Sequence, residues 1–195
     1  MGADTNANPR GIGAAATGLL LVLAFLVRAD EPPAKDKGAS TPPWQRMLTG
    51  ADAKQAEALQ QQIDALLGKG EFADAVKPAT QLWELRQRRQ GPDHWQAADA
   101  QRQVNTLQAV AAKPAAQRRA LTEALAKAQQ AQALRAKGRY RDEEPLREQA
   151  LAGYRQVLGE DHPDTALPYN ELAYCRWAQG CYAQAEPGFA KALAI

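Results

Sequence analysis

Two histidines are the residues whose chemistry is easiest to test from the sequence. His94 and His162 each follow an aspartate directly and a glycine three residues earlier. A zinc site would need further ligands at short spacing, and a nucleophile relay would need a Ser or Cys in a recognisable elbow or Cys-His signature. Neither pattern accompanies these histidines. We therefore expect turn or helix-capping residues, and a chain without catalytic residues or a metal site.

The two cysteines, Cys175 and Cys181, are the only thiols in the chain. An even number in an exported protein permits a disulfide. Cys175 is predicted on one helix and Cys181 at the turn into the next, and this placement does not bring their Cβ atoms within bonding reach by itself. Two alternatives therefore remain: a disulfide between the two cysteines, or two independent small side chains.

Other polar groups predict no cofactor. Gly11-Ile12-Gly13 lacks the strand and helix that a phosphate loop requires. The contiguous acids Asp142, Glu143 and Glu144 are predicted to form a solvated helix face. The net charge of +2 is not gathered into a basic stripe, so we do not expect nucleic acid as a partner.

One sequence unit occurs nearly twice and predicts the elements that position these residues. Gly138-Arg139-Tyr140 recurs 42 residues later as Gly180-Cys181-Tyr182, and Glu144-Pro145 recurs as Glu186-Pro187. A diverged copy, Gly70-Glu71-Phe72, lies 68 residues before Gly138, so it is separated by an insertion. A fixed period of this size is typical of arrays of helix pairs.

The run Gly159–Ala166, with Asn170–Ala173 and Ala178–Gly180, resembles the tetratricopeptide repeats of the kinesin-light-chain type. The resemblance implies an all-α fold, an α-solenoid of antiparallel helix pairs over residues 51–195. It also implies a peptide-binding groove along the first helices of successive repeats. The corresponding positions here are Asn170, Tyr174 and Trp177, and one repeat earlier Ala128, Gln132 and Arg135.

The spacing of Asn170, Tyr174 and Trp177 places them on one helical face. An amide and two aromatics, with Arg135 nearby, suit an extended peptide. The alternative is that Tyr174 or Trp177 packs against the adjacent repeat. Where the family carries an aromatic, this chain has Arg176.

Helical periodicity and breakers predict the individual helices. The predicted ranges are 53–67, 72–90, 93–112, 114–137, 140–158 and 182–195, with a further helix whose first turn contains Pro163. Asp93 with Gln96 predicts a capping box, which Asp161 and Asp164 repeat. Pro168 predicts either a kink or a later helix start. The position of the 95–137 insertion on the solenoid is open.

The helix over residues 140–158 is predicted to bury one apolar face. Its expected members are Tyr140, Leu146, Ala150, Tyr154 and Leu158. Arg147 aligns with Phe189 of the next repeat, and Leu146 is predicted to replace that packing.

The N-terminal residues predict a targeting segment rather than part of the folded domain. Arg10 precedes an apolar stretch with the core Leu19–Val27, and Ala29 suits a cleavage site. Residues 1–29 are therefore a predicted signal peptide or membrane anchor, the only predicted membrane contact. Residues 30–50 are a predicted disordered Pro-rich linker. In either case the repeats face a non-cytoplasmic space, periplasmic or exported.

The sequence thus favours a protein-interaction scaffold that is not an enzyme. The alternative is the N-terminal regulatory region of a larger enzyme, a caspase-like protease or a kinase, as the resemblance implies for bacterial arrays. The last helix, over 182–195, has no polar cap. This predicts a chain truncated at its C-terminus, or self-association through the open repeat.

Overall fold

The computed structural model describes residues 41–195, and the predicted signal or anchor lies outside the described residues. Within them the fold is all-α, with a 3-10 turn at Pro43–Gln45, seven α helices and no strand. The helices are α1 (Gly50–Gly68), α2 (Phe72–Gln90), α3 (Trp95–Ala111), α4 (Ala115–Arg135), α5 (Tyr140–Val157), α6 (Pro163–Ala178) and α7 (Tyr182–Ala194). No helix in this part of the chain combines the length and apolar character that a membrane crossing requires.

Consecutive helices other than α3 and α4 pack as antiparallel hairpins. α1 packs on α2, α2 on α3, α4 on α5, α5 on α6, and α6 on α7. The glycines of the repeated motif, Gly70, Gly138 and Gly180, have φ angles of 76°, 67° and 79°. Other residues adopt this left-handed conformation only with strain, so glycine ends the first helix of these pairs. The predicted helical solenoid is supported.

The two helices in the region of the insertion, α3 and α4, pack against different neighbours. α3 packs on α2, whereas α4 packs on α5 and also contacts α1. Val104, Leu107 and Val110 of α3 join the main core beside Ile63 and Phe72. α3 therefore completes the α1–α2 core.

The structured part begins before the predicted domain boundary at residue 51. Arg46, assigned to the linker, donates through Nη1 to the carbonyl oxygen of Gln90 at 2.8 Å. Both carboxylate oxygens of Asp93 lie 2.9 Å from its guanidinium nitrogens. Gln90 returns a hydrogen bond of 2.9 Å to the carbonyl of Arg46. The C-terminal part of the predicted linker is thus attached to the end of α2.

The structure corrects the prediction that α4 begins at Pro114 and excludes one of the two alternatives for Pro168, the later helix start. Pro114 is the residue before α4 rather than part of its first turn, because its ψ of 148° is not helical. Pro168 does not delay α6, which begins at Pro163 and continues through it. The early position of Pro168 limits the lost backbone hydrogen bonds to the first turns.

Candidate functional site

Six side chains from α4 and α6 form one surface, here called the α4–α6 face: Gln132, Arg135, Asn170, Glu171, Tyr174 and Trp177. The guanidinium carbon of Arg135 lies 3.8 Å from the centroid of the Tyr174 ring. The same guanidinium forms an ion pair with Glu171. Burial disfavours the charge of Arg135, but Glu171 outweighs this effect and raises the pKa of Arg135. Arg135 is therefore a fixed cation between two partners.

The aromatic pair extends this surface toward α7. The ring centroids of Tyr174 and Trp177 are 5.6 Å apart with a tilt of 39°. Trp177 is 50% exposed, and Asn170 is also exposed. Tyr174 contacts the preceding hairpin through Arg135, as the packing alternative predicted. Trp177 keeps half of its surface available.

A buried charge pair supports the α4–α6 face from below. Arg147 of α5 donates through Nε to Glu143 at 2.8 Å and through Nη2 to the side-chain oxygen of Gln132 at 3.0 Å. Glu171 lies 3.0 Å from the same Nη2. Glu143 is fully buried, and Arg147 is 6% exposed. The pair links α5 to both helices of the face.

This pair corrects two predictions about α5. The prediction that Glu143 belongs to a solvated acidic face is wrong, because it points inward one turn from Arg147, and the guanidinium pairs with one of its carboxylate oxygens. The prediction that Leu146 replaces the missing aromatic is also wrong, because Arg147 itself fills that position. Of the predicted buried face of α5, only Ala150 is fully buried.

A cavity of about 290 Å³ lies beside the network. Its polar wall is Gln132, Arg147 and Glu171, and its apolar wall includes Leu125, Ala128, Ala150, Tyr154 and Leu167. Ligand pockets begin at roughly 300 Å³, so this space suits a single apolar side chain.

The tetratricopeptide repeat family matches residues 122–195, which include most of α4 and all of α5, α6 and α7. Residues 122–195 therefore contain tetratricopeptide repeats. No curated protein matches it. The kinesin-light-chain type of repeat stays a prediction. Stacked repeats of this kind present extended surfaces to proteins and peptides.

Ion pairs replace an aromatic contact between two helices of the repeats. Arg176 donates to Glu144 at 2.9 Å and to Glu148 at 2.6 Å. Gln179 donates to the other oxygen of Glu144 at 2.8 Å. Arg176 therefore attaches α6 to α5 where the family resemblance suggested an aromatic.

The histidines cap two helices, α3 and α6. His94 Nδ1 accepts a hydrogen bond of 3.1 Å from the backbone of Gln96, and His162 Nδ1 accepts one of 3.1 Å from that of Asp164. Their predicted capping role is confirmed. The prediction of Asp93 and Asp161 as caps is wrong, because each pairs with a cation instead, Arg46 and Lys191 respectively.

The cysteines are separate. Cys175 and Cys181 are both free thiols, and Cys175 Sγ donates to the carbonyl oxygen of Tyr140 at 3.2 Å. Burial, with Glu143 and Glu144 nearby, raises the pKa of Cys175 to about 11. A thiol in this state is a poor nucleophile. In residues 41–195 no group of three or more potential ligands could hold a metal ion.

Sequence reasoning missed Glu171. The resemblance pointed to Asn170 and Tyr174, and Glu171 lies between them in the chain. Its spacing of three from Tyr174 places both on neighbouring turns of one face. That three-residue spacing could have placed Glu171 on the predicted groove.

Proposed function

We propose that this tetratricopeptide repeat protein is a scaffold without catalytic activity that binds a protein or peptide segment across the α4–α6 face. One observation carries the proposal: Arg135 is held between Glu171 and Tyr174, next to the half-exposed Trp177. Arg, Tyr and Trp are the residues that most often dominate binding free energy. Because contacts already order Arg135, binding loses little of its conformational entropy.

The surface chemistry defines the ligand. Glu171 neutralises Arg135, so the face does not require an acidic partner. The exposed amide of Asn170 suits the backbone of an extended segment. The 290 Å³ cavity beside it takes an apolar side chain. We therefore expect an extended ligand with one apolar anchor.

Phage display of random peptides against the full-length chain provides ligands for the test. The affinity of selected peptides is then measured by fluorescence polarisation. Trp177→Ala is expected to weaken binding at least about tenfold, as for an interface hot spot. The matched control is Trp95→Ala, since Trp95 is 56% exposed on α3, away from the face. Equal affinities of the two variants would contradict the proposal.

A second candidate function is self-association through α7. Trp177, Tyr182 and Phe189 line a groove of about 570 Å³ with Glu186 and neighbouring alanines. One period earlier, α6 contacts the equivalent surface of α5 through Tyr140 and Glu144. We propose that a second copy contacts the α7 groove.

Light scattering tests the second candidate. The full chain is expected to show a mass that rises with concentration, and Phe189→Glu is expected to abolish the rise. Met47→Glu, at a residue that is 52% exposed elsewhere, is the control. A monomeric wild-type chain over the whole concentration range would reject self-association.

The location of the protein is a proposal from the sequence alone. We propose that residues 1–29 direct export or anchoring, so that the repeats face the periplasm or exterior. A C-terminal alkaline phosphatase fusion is expected to be active in bacteria and inactive after deletion of residues 1–29. Mass spectrometry of the mature chain distinguishes cleavage after Ala29 from a retained anchor. The alternative of a regulatory region in a larger enzyme stays a prediction.

A further inference from the structure

A second cavity, of about 380 Å³, lies between α3 and the other helices. α3 packs on α2, whereas α4 packs on α5, and the space between these two hairpins is not filled. Its walls are mainly apolar: Phe72, Leu107, Leu121, Leu125 and Leu158. The volume falls within the range of small-molecule sites.

Among residues 41–195, one cation in the wall of this cavity forms no direct ion pair, although the charge of Asp99 acts on it from nearby. Arg86 of α2 donates through Nη1 to the carbonyl oxygen of Gln96 at 3.2 Å. Its Nε is buried and has no hydrogen-bond partner in the described part of the chain. Arg86 also takes part in no ion pair among residues 41–195. A buried N–H without an acceptor is unfavourable, and native proteins seldom leave one unsatisfied.

The other charged groups in the wall are paired with one another. Arg102 of α3 contacts Asp99 at 3.1 Å and forms a second ion pair with Asp164 of α6. These contacts join α3 to α6 beside the cavity. Within residues 41–195, Arg86 is therefore the cation in this wall that forms no direct ion pair.

We propose that this cavity binds a small amphiphile with an apolar chain and a single carboxylate. The chain lies among the leucines, and the carboxylate accepts hydrogen bonds from the guanidinium of Arg86, which lines the cavity. A guanidinium edge matches the two oxygens of a carboxylate. The apolar walls favour a chain over a small polar anion because they remove its surface from water.

This site is distinct in chemistry from the α4–α6 face but adjoins it. Leu125, Tyr154 and Leu167 line both cavities. An occupied cavity therefore fixes side chains on which the peptide site also depends. The amphiphile proposal does not require the peptide proposal, since Arg86 is not part of the α4–α6 face.

Calorimetry with dodecanoate, below its micelle concentration, tests the proposal on the full-length chain. Saturable binding at one site is expected, with affinity at least tenfold higher than for dodecyltrimethylammonium, the cation of equal chain length. Acetate is expected not to bind. Equal affinity for the anion and the cation, or no saturable binding of dodecanoate, would overturn the proposal. This comparison needs no variant and is independent of any folding defect.

Two variants assign the anion to Arg86. Arg86→Gln is expected to weaken dodecanoate binding at least tenfold. Arg88→Gln changes an exposed arginine of the same helix outside the cavity, and it is expected to bind as the wild type does. Unchanged binding by a folded Arg86→Gln variant would overturn the assignment.

Methyl NMR locates the bound chain. Dodecanoate is expected to shift the methyl signals of Leu107 and Leu125 and to leave Leu193, which is 88% exposed on α7, unchanged. Shifts confined to α7 or to residues 1–40 would place the binding elsewhere and reject the cavity as the site.

Discussion

The Nε atom of Arg147 lies 2.8 Å from a carboxylate oxygen of Glu143, and both side chains are buried. Arg147→Phe leaves Glu143 as an uncompensated buried charge. Breaking a buried pair from one side costs roughly 3–5 kcal/mol. We expect the free energy of unfolding, measured by urea denaturation, to fall by about that amount.

The next repeat supplies a matched second variant. At the positions 42 residues later stand Ala185 and Phe189, an apolar pair. Glu143→Ala combined with Arg147→Phe therefore copies a combination that the protein already uses. Replacing a whole buried pair by apolar residues is often neutral, so the double variant is expected to regain most of the lost stability. Equal stability of the single and double variants would show that the pair is not coupled.

The sequence could predict the helices because their signals are local. A glycine required at positive φ ends the first helix of a pair whatever lies around it, and Gly138 and Gly180 show this in successive repeats. The placement of Gln132, Arg135 and Tyr174 on one surface was also predicted, from the family resemblance together with helix geometry and the repeat period.

The buried pair was not predicted because charged residues four apart on a helix are usually exposed. A signal was nonetheless present. The repeat aligns Glu143 with Ala185 and Arg147 with Phe189, so two charged residues replace two apolar ones together. A paired replacement of this kind predicts a buried ion pair. The caps were misplaced by one residue because both Asp and His carry an acceptor near each helix start.

Close helix packing makes one glycine sensitive to substitution. A Cβ at Gly153 of α5 would lie 2.6 Å from the Cβ of Ala124 in α4. Gly153→Ala is therefore expected to destabilise the fold by roughly 1–3 kcal/mol, despite the better helix propensity of Ala. Thermal denaturation followed by circular dichroism measures the change.

Two further variants separate the close contact from helix propensity. Gly68→Ala changes a helical glycine with no atom within 4 Å of the added Cβ, and it is expected to be neutral or stabilising by up to about 1 kcal/mol. Adding Ala124→Gly to Gly153→Ala is expected to restore part of the stability. A stabilising effect of Gly153→Ala would show that α4 and α5 do not approach this closely.

The contacts of Arg46 predict local rather than global loosening. The Arg46 guanidinium donates hydrogen bonds to the carbonyl oxygens of Thr41 at 3.0 Å and Gln90 at 2.8 Å. It also donates one to a carboxylate oxygen of Asp93 at 2.9 Å. Arg46→Ala is expected to speed amide hydrogen exchange in residues 42–49, with little change in α4 to α7. Arg89→Ala is the control, because Arg89 is an exposed residue of α2 that pairs with Asp52. Unchanged exchange in residues 42–49 would show that other contacts hold this segment.

The histidine caps predict a stability that falls in weak acid. His94 Nδ1 can accept its hydrogen bond from Gln96 only when that nitrogen carries no proton. Burial, with Arg46 and Arg86 nearby, lowers the pKa of His94 although Asp93 opposes the shift. Burial, with Arg102 and Lys113 nearby, lowers the pKa of His162.

In the unfolded chain both histidines have pKa values of about 6.5 and bind protons first as the pH falls. The free energy of unfolding is therefore expected to be constant above about pH 7 and to decrease below about pH 6.5, by at most ~1.4 kcal/mol per pH unit for each histidine. The free energy of unfolding levels off below the folded pKa values.

Urea denaturation between pH 5 and 8 measures this slope. His94→Asn keeps a capping oxygen that does not titrate, so it is expected to reduce the slope, and adding His162→Asn to reduce it further. A double variant with the wild-type slope would assign the acid sensitivity to other groups.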